Sequence, residues 1–337
     1  MLEINGSDGG GQVLRSALSL SMVTGRAFRM VQIRGGRKKP GLMRQHLTCV
    51  RAAAEVSGAQ VSGAEMGSQE LYFEPGEVQA GEYSFKIGSA GSTTLVFQTL
   101  LPALMLAEGM SVLRVRGGTH NPLAPSADYI AKVFLPAVRK LGVSAVLECE
   151  RVGFAPAGGG EIVARVEPSV LVGASFCERG ALLRRELSAM VANLSGEIMR
   201  REVNHAAKRL AWESYDSSLD QVKLVDGAGN CFAVHLDYEH VSERFTDYGA
   251  YGLSAERVAG RVVKQVREFL KVPEAAFGEH LADQVLLPMA LAGTGSFTTA
   301  KMTNHLRTNM RVIQQFLDVK ISVEGDETGL WTFVIGR

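Results

Sequence analysis

Apolar residues recur along the chain with two alternating periods, and the alternation predicts an ordered string of helices and strands. In GGGQVLRSALSLSMVTG, Val13, Leu14, Ala17, Leu18 and Met22 fall on one helical face, and Gly25 stops the run. FRMVQI then reads as a strand. Pro40 opens a second helix through LMRQHLTCVRAAAEVSG to Gly58, and strand patterns follow at 69–74 and 83–87. The order returns with GSAGS at 88–92: a helix over 93–107, a strand over 111–116, a helix over 126–141, strands near 143–150 and 161–167. It returns again near the end, as a helix over 282–292, a strand over 296–300, a helix over 305–317 and a hairpin over 319–336. VQIRGG at 31–36 and LRVRGG at 113–118 close equivalent strands, and each first helix carries an early glutamine, Gln12, Gln98 or Gln284. Ordered repetition of this kind predicts three like units.

The third unit is interrupted. Between 178 and 273 the pattern becomes strand 181–191, helix 195–212, strand 220–225, an Asp226-Gly227 turn, strand 231–238 and helix 255–270 capped by Ser254. The expected fold class is α/β (α+β). A large three-repeat domain is built from 1–177 and 274–337, with a smaller α/β domain inserted over 178–273.

Composition narrows the function classes. The 337 residues are 46% hydrophobic and 21% charged, which fits a globular chain and excludes a disordered one. Lys plus Arg is 36 and Asp plus Glu is 35, so any contact with a polyanion must come from a local patch. Cys49, Cys149, Cys177 and Cys231 are scattered with no CxxC, as expected of free thiols in a reducing compartment. MLEINGSDGGG lacks the basic start and apolar run of a signal peptide, and LVFQTLLPALMLA at 95–107 falls short of the ~20 residues a membrane span needs. A cytoplasmic protein with no membrane partner is the expectation.

Three segments hold candidate chemistry. NGSDGGGQ at 5–12 runs into a helix, so its glycines either cradle an anion at the helix N-terminus or form a flexible turn capped by Asp8. Asp8 is also the candidate metal ligand there. RGGRKKPGLMR places Arg34, Arg37, Lys38, Lys39 and Arg44 together without an acid. Such a cluster is either a solvated face or, shaped by two glycines and a proline, a phosphate site. His305 opens the helix whose core face is already filled by Leu306, Met310, Val312, Ile313 and Phe316, leaving its imidazole free to act as a nucleophile. His46 reads as structural or phosphate-contacting, and His235 and His240 as structural.

With these residues in view, the chain resembles the RNA 3′-terminal phosphate cyclases along essentially its whole length. The matching segments are GGGQVLRSALSLSMVTG, IRGGRKKPGLMRQHLT, GSAGSTTLVFQTLLP, GGTHNPLAPSADY, GFAPAGGG, ERF at 243–245, HLADQVLLPMALAGTGSF and HLRTN. The resemblance implies a fold of three βαβαββ repeats plus a smaller inserted domain. It also implies an ATP-dependent ligase reaction passing through a histidine–AMP intermediate and an RNA adenylate. By matched position, the nucleophile is His305. The ATP site takes Gln98, the segment His280, Leu281, Ala282, Asp283 and Gln284, and Phe245 with Pro125 against the base. Arg15, Arg34 and Arg37 fall on phosphate or RNA-end contacts, with Gln45 nearby, and Mg²⁺ or Mn²⁺ is implied at Asp8. Three departures stand out: Asp8 replaces the family's usual glutamate in a slightly shorter loop, Asn5 stands where an aspartate is common, and His280 replaces the tyrosine of some relatives. The rivals are a non-catalytic ribosome-assembly relative, which lacks the histidine, and the enolpyruvyl transferases, which share only the fold.

Overall fold

The protein is described by a computed structural model covering residues 1–223 and 225–336. Its strands form four four-stranded sheets. The first holds β1 (Leu2–Asn5), β2 (Phe28–Val31), β4 (Leu71–Glu74) and β3 (Gln60–Ser62) in that spatial order. The second holds β5 (Glu82–Lys86), β6 (Ser111–Gly117), β8 (Gly160–Val166) and β7 (Ala145–Arg151). The third pairs β9 (Ala174–Phe176) with β14 (Gly295–Thr299), then β16 (Trp331–Gly336) and β15 (Lys320–Gly325). In each, the first two strands run parallel and the other pairings are antiparallel. A parallel pair requires a crossover, and helices supply it. They are α1 (Gly11–Thr24), α3 (Thr93–Leu104) and, for the third sheet after a long excursion, α8 (Glu279–Ala292).

Local chemistry fixes where these helices start and stop. Gly25 and Gly58 end α1 and α2 (Arg44–Ser57) in the left-handed conformation. The Ser92 hydroxyl accepts from the Leu95 N–H at 3.2 Å to start α3, and Thr303 accepts from Leu306 N–H at 3.0 Å to start α9 (Asn304–Phe316). The predicted helix over 126–141 is α4 (Ala127–Tyr129) and α5 (Leu135–Arg139) joined by a π-helical turn, Ile130–Phe134. α1 packs on α2, α3 and α9, and α8 on α9, over one apolar core that includes Leu14, Leu18, Phe97, Leu286 and Ile313.

The fourth sheet stands apart. Its order is β11 (Asp216–Val222), β10 (Leu182–Ala192), β12 (Gly229–Tyr238), β13 (Ser242–Tyr248), with α6 (Glu197–Leu210) and α7 (Ala255–Leu270) packed on it. It has a separate core around Leu187, Phe232, Val234, Val262 and Phe269, where truncating a phenylalanine to alanine costs about 3–5 kcal/mol. Arg200, Arg201, Lys208 and Arg209 of α6 are exposed. Buried Arg179 ties entry to exit: its guanidinium donates to the Phe269 carbonyl at 2.8 Å, to those of Val272 and Ala275, and lies 3.6 Å over the Phe269 ring. Strand β13, absent from the sequence pattern, is the element that brings this unit to the functional site.

Candidate functional site

One cavity of about 520 Å³ lies where α1, α3, α8 and α9 meet the loop 122–126, β13 and α7. Gln98 and Gln284 sit at matching places on α3 and α8, each followed four residues later by a proline, Pro102 or Pro288, that also faces the cavity. Proline has no N–H, so the carbonyl of each glutamine lacks its helical donor and the helix loosens there. Gln98 Nε2 donates to Gln284 Oε1 at 2.6 Å, and Gln284 Nε2 donates to the His280 carbonyl at 3.0 Å. In α1 the corresponding place is Ser16, whose hydroxyl donates to Asn309 Oδ1 at 2.8 Å. The three early glutamines thus converge on one cavity.

Its most charged wall is built by α1, α8 and α9. Asp283 is largely buried, with 16% of its side chain exposed, accepts from Gln12 Nε2, and places Oδ2 3.7 Å from His305 Nδ1. Burial raises its pKa to about 6, against the opposing pull of Gln12 and Arg15. Burial, followed by the nearby Arg15 and Arg37, lowers the pKa of His305, so the imidazole is neutral at pH 7. Its side chain is still 52% exposed. Arg15 lines the cavity and makes no ion pair among the described residues, and burial depresses its pKa. A desolvated guanidinium facing a cavity, attracted by Asp283 but not ion-paired with it, is arranged for an anionic ligand.

The glycine loop does something other than offer open N–H groups. A Cβ on Gly10 (φ 63°) would come within 2.7 Å of Arg37 Nη2, so the glycine makes room for the Arg37 guanidinium at the α1 N-terminus. Gly11 makes room for the His46 ring in the same way. His46 Nδ1 accepts the Met43 N–H at 3.2 Å, which leaves the ring proton on Nε2. Burial, then Arg15 and Arg34, lower its pKa to about 3.

Of the residues singled out from sequence, His305, Gln98, His280, Asp283, Gln284, Pro125, Arg15 and Arg37 line the cavity. The others are placed elsewhere. Leu281 and Ala282 form the buried face of α8, as helical spacing requires between residues that face the cavity. Phe245 lies in the core beneath α7, its ring 5.3 Å from Phe269, and the aromatic that β13 brings to the cavity is Tyr248. The pleat sends residues 245 and 248 to opposite faces of the strand. Gln45 Oε1 accepts from the Ser92 N–H at 2.7 Å, tying α2 to the start of α3. Arg34, at φ 55°, donates to the Gly41 carbonyl at 2.8 Å and shapes the cationic loop. Asp8 is exposed and away from the cavity wall, and no group of three or more His, Cys, Asp or Glu placed to hold a metal ion occurs among the described residues.

Sequence reasoning did not single out five contributors. Glu243, fully buried, accepts the Gly278 N–H at 2.6 Å and so anchors the start of α8, with a pKa that burial raises to about 8. Arg244 donates to Ser188 Oγ at 2.6 Å and stands 3.6 Å from Asp128. Asp128 is held below the usual carboxylate range, since His120 and Arg244 outweigh its burial. Tyr129 and Phe134 both reach the cavity because a π-turn aligns residues five apart. The sequence signals for these were the segments ERF, with Glu243 and Arg244, and GGTHNPLAPSADY, which ends in Asp128 and Tyr129; the pairing of β13 with β12 places the first pair.

Comparison with known proteins identifies the family. A family model described as RNA 3′-terminal phosphate cyclase matches residues 7–323. A Pseudomonas aeruginosa protein named RNA 3′-terminal phosphate cyclase is 50% identical over 335 residues, 99% of this chain and 98% of that protein. One from Pseudomonas fluorescens is 50% identical over 323 residues (95% and 94%), and one from Salmonella typhimurium 48% over 323 (96% and 94%). A solved structure, the enolpyruvyl transferase NikO from Streptomyces tendae, aligns at 11% identity and a TM-score of 0.39 over 100% of this chain and 48% of that one, a likeness that carries no argument. The chain belongs to the RNA 3′-terminal phosphate cyclase family.

Proposed function

We propose that this member of the family uses ATP to close an RNA 3′-terminal phosphate into a 2′,3′-cyclic phosphodiester, with His305 as nucleophile. Nε2 attacks the α-phosphorus of ATP; the N–P bond forms as the bond to the bridging oxygen breaks, and pyrophosphate leaves. A terminal 3′-phosphate oxygen of the RNA then takes the AMP and frees the imidazole. The adjacent 2′-hydroxyl attacks the 3′-phosphorus, AMP departs, and the hydroxyl proton passes to solvent. Adenylylation makes the phosphate oxygen a good leaving group, and the vicinal hydroxyl reacts at high effective concentration.

The observation that carries this reading is a neutral, half-exposed His305 on a cavity wall shared with Arg15 and Arg37. Asp283, 3.7 Å from Nδ1, favours the proton on that nitrogen and leaves the Nε2 lone pair for attack. Arg15 and Arg37 neutralise phosphates, and adenosine fits among Gln98, His280, Gln284, Pro125 and Tyr248. Arg34 and Gln45 act by shaping the RNA-end loop. Mg²⁺ is commonly held by one or two carboxylates plus substrate phosphates. Such an ion, Mg²⁺ or Mn²⁺, would be carried mainly by the phosphates of ATP, with Asp8, exposed and outside the cavity wall, as the one carboxylate the resemblance offers; when bound it would neutralise the leaving pyrophosphate. The separate core of the fourth sheet supports an inserted domain over 178–273 within a larger one of 1–177 and 274–337. No helix among the described residues is long and apolar enough to cross a membrane, and cytoplasmic work on RNA ends is consistent with that.

ATP labelled at the α-phosphate tests the reading. The native protein should retain acid-labile label through denaturation, and His305→Ala should stay folded yet unlabelled. Label on the variant would name another nucleophile. An unlabelled native protein that still binds RNA would be the non-catalytic relative.

A further inference from the structure

We infer that the RNA upstream of the reacting terminus runs over Tyr251 and the cationic outer face of α7, so that the 178–273 region holds the body of the substrate while the cavity holds its end. This rests on the RNA-end reading above.

The path starts at the cavity. Tyr248 and Asp247 line it at the end of β13; the chain then turns through 249–254 and enters α7 at Ala255. At the turn stands Tyr251, 109% exposed, its ring packed against nothing. A solvated ring beside a nucleotide cavity is what single-stranded nucleic acid uses as a platform for a base.

On α7, Val258, Val262, Val266 and Phe269 are buried, which turns Arg257, Arg261, Lys264 and Arg267 to solvent. Gln265 lines the cavity, and Arg261, one turn earlier, lies 3.5 Å from Asp247 on the same wall. Arg257 is one turn earlier again. Residues four apart are neighbours on a helix, about 6 Å along its axis, so this row leads from the cavity wall back to the turn that carries Tyr251. Among the described residues Arg257 and Lys264 make no ion pair, which leaves them free for phosphates.

Charge segregation points the same way. The chain as a whole carries only +1. Yet α6 and α7 each bring four Lys or Arg against two glutamates, and one of those, Glu202, is fully buried. Further acids of this unit lie on its sheet, as Glu186, Asp216, Asp220 and Asp237, while Glu197 and Glu268 stay exposed on the helices and Glu256 pairs with Arg201. An acidic peptide would answer the cations but would leave the exposed ring without a partner. A single RNA strand answers both.

The test uses the full chain and two substrates, a 3′-phosphorylated dinucleotide and a 3′-phosphorylated single-stranded 20-mer. Arg257→Gln with Lys264→Gln should lower the slope of log Kd against log salt for the 20-mer by about 1.4, at roughly 0.7 for each phosphate no longer neutralised. Tyr251→Ser should weaken 20-mer binding by about 5–150-fold, the range for removing one base stack. Dinucleotide cyclisation and label from ATP should not change, since none of the three residues lines the cavity. An unchanged salt slope, or an equal loss on the dinucleotide, overturns the inference. So does stronger competition by a polyglutamate peptide than by RNA of equal charge. A native protein that binds the 20-mer with the full slope but closes neither substrate upholds the track and sinks the cyclase reading instead.

Discussion

The two walls of the cavity handle buried charge in opposite ways. On the α1–α8–α9 wall, Arg15 has no ion pair among the described residues, burial pushes Asp283 up to about 6, and His305 is kept neutral. On the β13–α7 wall, Arg244 answers Asp128, Arg261 answers Asp247, and Glu243 accepts a backbone N–H. A desolvated charge is costly unless something compensates it. The first wall leaves that compensation to a charged ligand. The second pairs its charges within the protein, although Arg244 Nε and Nη1, Thr246 Oγ1 and Tyr248 Oη stay buried there without a hydrogen-bond partner among the described residues.

The sharpest way to break this comparison is to replace one cation on each wall by methionine. Arg15→Met should lower adenylylation about 10²–10³-fold, the range for losing an oriented charged donor at a transition state. Its melting temperature should hold or rise, because an uncompensated buried cation is removed. Arg244→Met should do the reverse: Asp128 loses a partner, stability falls by about 1–3 kcal/mol, and ATP turnover changes less. Calorimetry and initial rates on both variants decide it; melting shifts of the same sign would dissolve the distinction.

Strand β13 offers a second contrast, between its two faces. Tyr248→Ala should raise the KM for ATP about 10-fold, as expected when a ring interaction worth about 1.4 kcal/mol is removed. Phe245→Ala should instead destabilise the fourth sheet and leave KM nearly alone. Equal effects on KM would return Phe245 to the nucleotide.

A third test concerns the exposed carboxylate outside both walls. If Asp8 joins ATP in holding the metal, Asp8→Asn should raise the Mg²⁺ concentration needed for self-adenylylation several-fold, with partial rescue by Mn²⁺. Superimposable titrations would make Asp8 a loop residue only.

The smallest expected effect is on pH dependence. Glu243 has a folded pKa of about 8, above the ordinary carboxylate value of about 4. Its contribution to stability is therefore complete below pH ~4 and is lost as pH rises through 8. Glu243→Gln, which keeps an acceptor for Gly278, should narrow the fall in melting temperature between pH 6 and pH 9. A fall as steep as the native one would place that loss elsewhere.

Most helices were legible because each announces itself locally. Ser254 caps α7, accepting from the Arg257 N–H, and Gly25 and Gly58 end α1 and α2 where the pattern stops. Short edge strands were not legible. β3 has three residues, and β13 reads SERFTDY, with no apolar alternation, because one face meets α7 and the other meets the polar residues Asp128 and Ser188.

By itself the sequence determined the repeated order of elements, the motif residues and therefore the family. These are properties of local periodicity, caps and short contiguous segments, where each residue's neighbours in the chain are its neighbours in space. Only the tertiary structure decided which of those residues share a wall. Asp283 meets His305 through the packing of α8 on α9, Arg37 comes to the start of α1 through the space left by Gly10, and Tyr248 rather than Phe245 faces the cavity through the pleat of β13. The same packing removes most water from Arg15 and Asp283 and leaves His305 half-exposed, and no residue carries its solvation in its name.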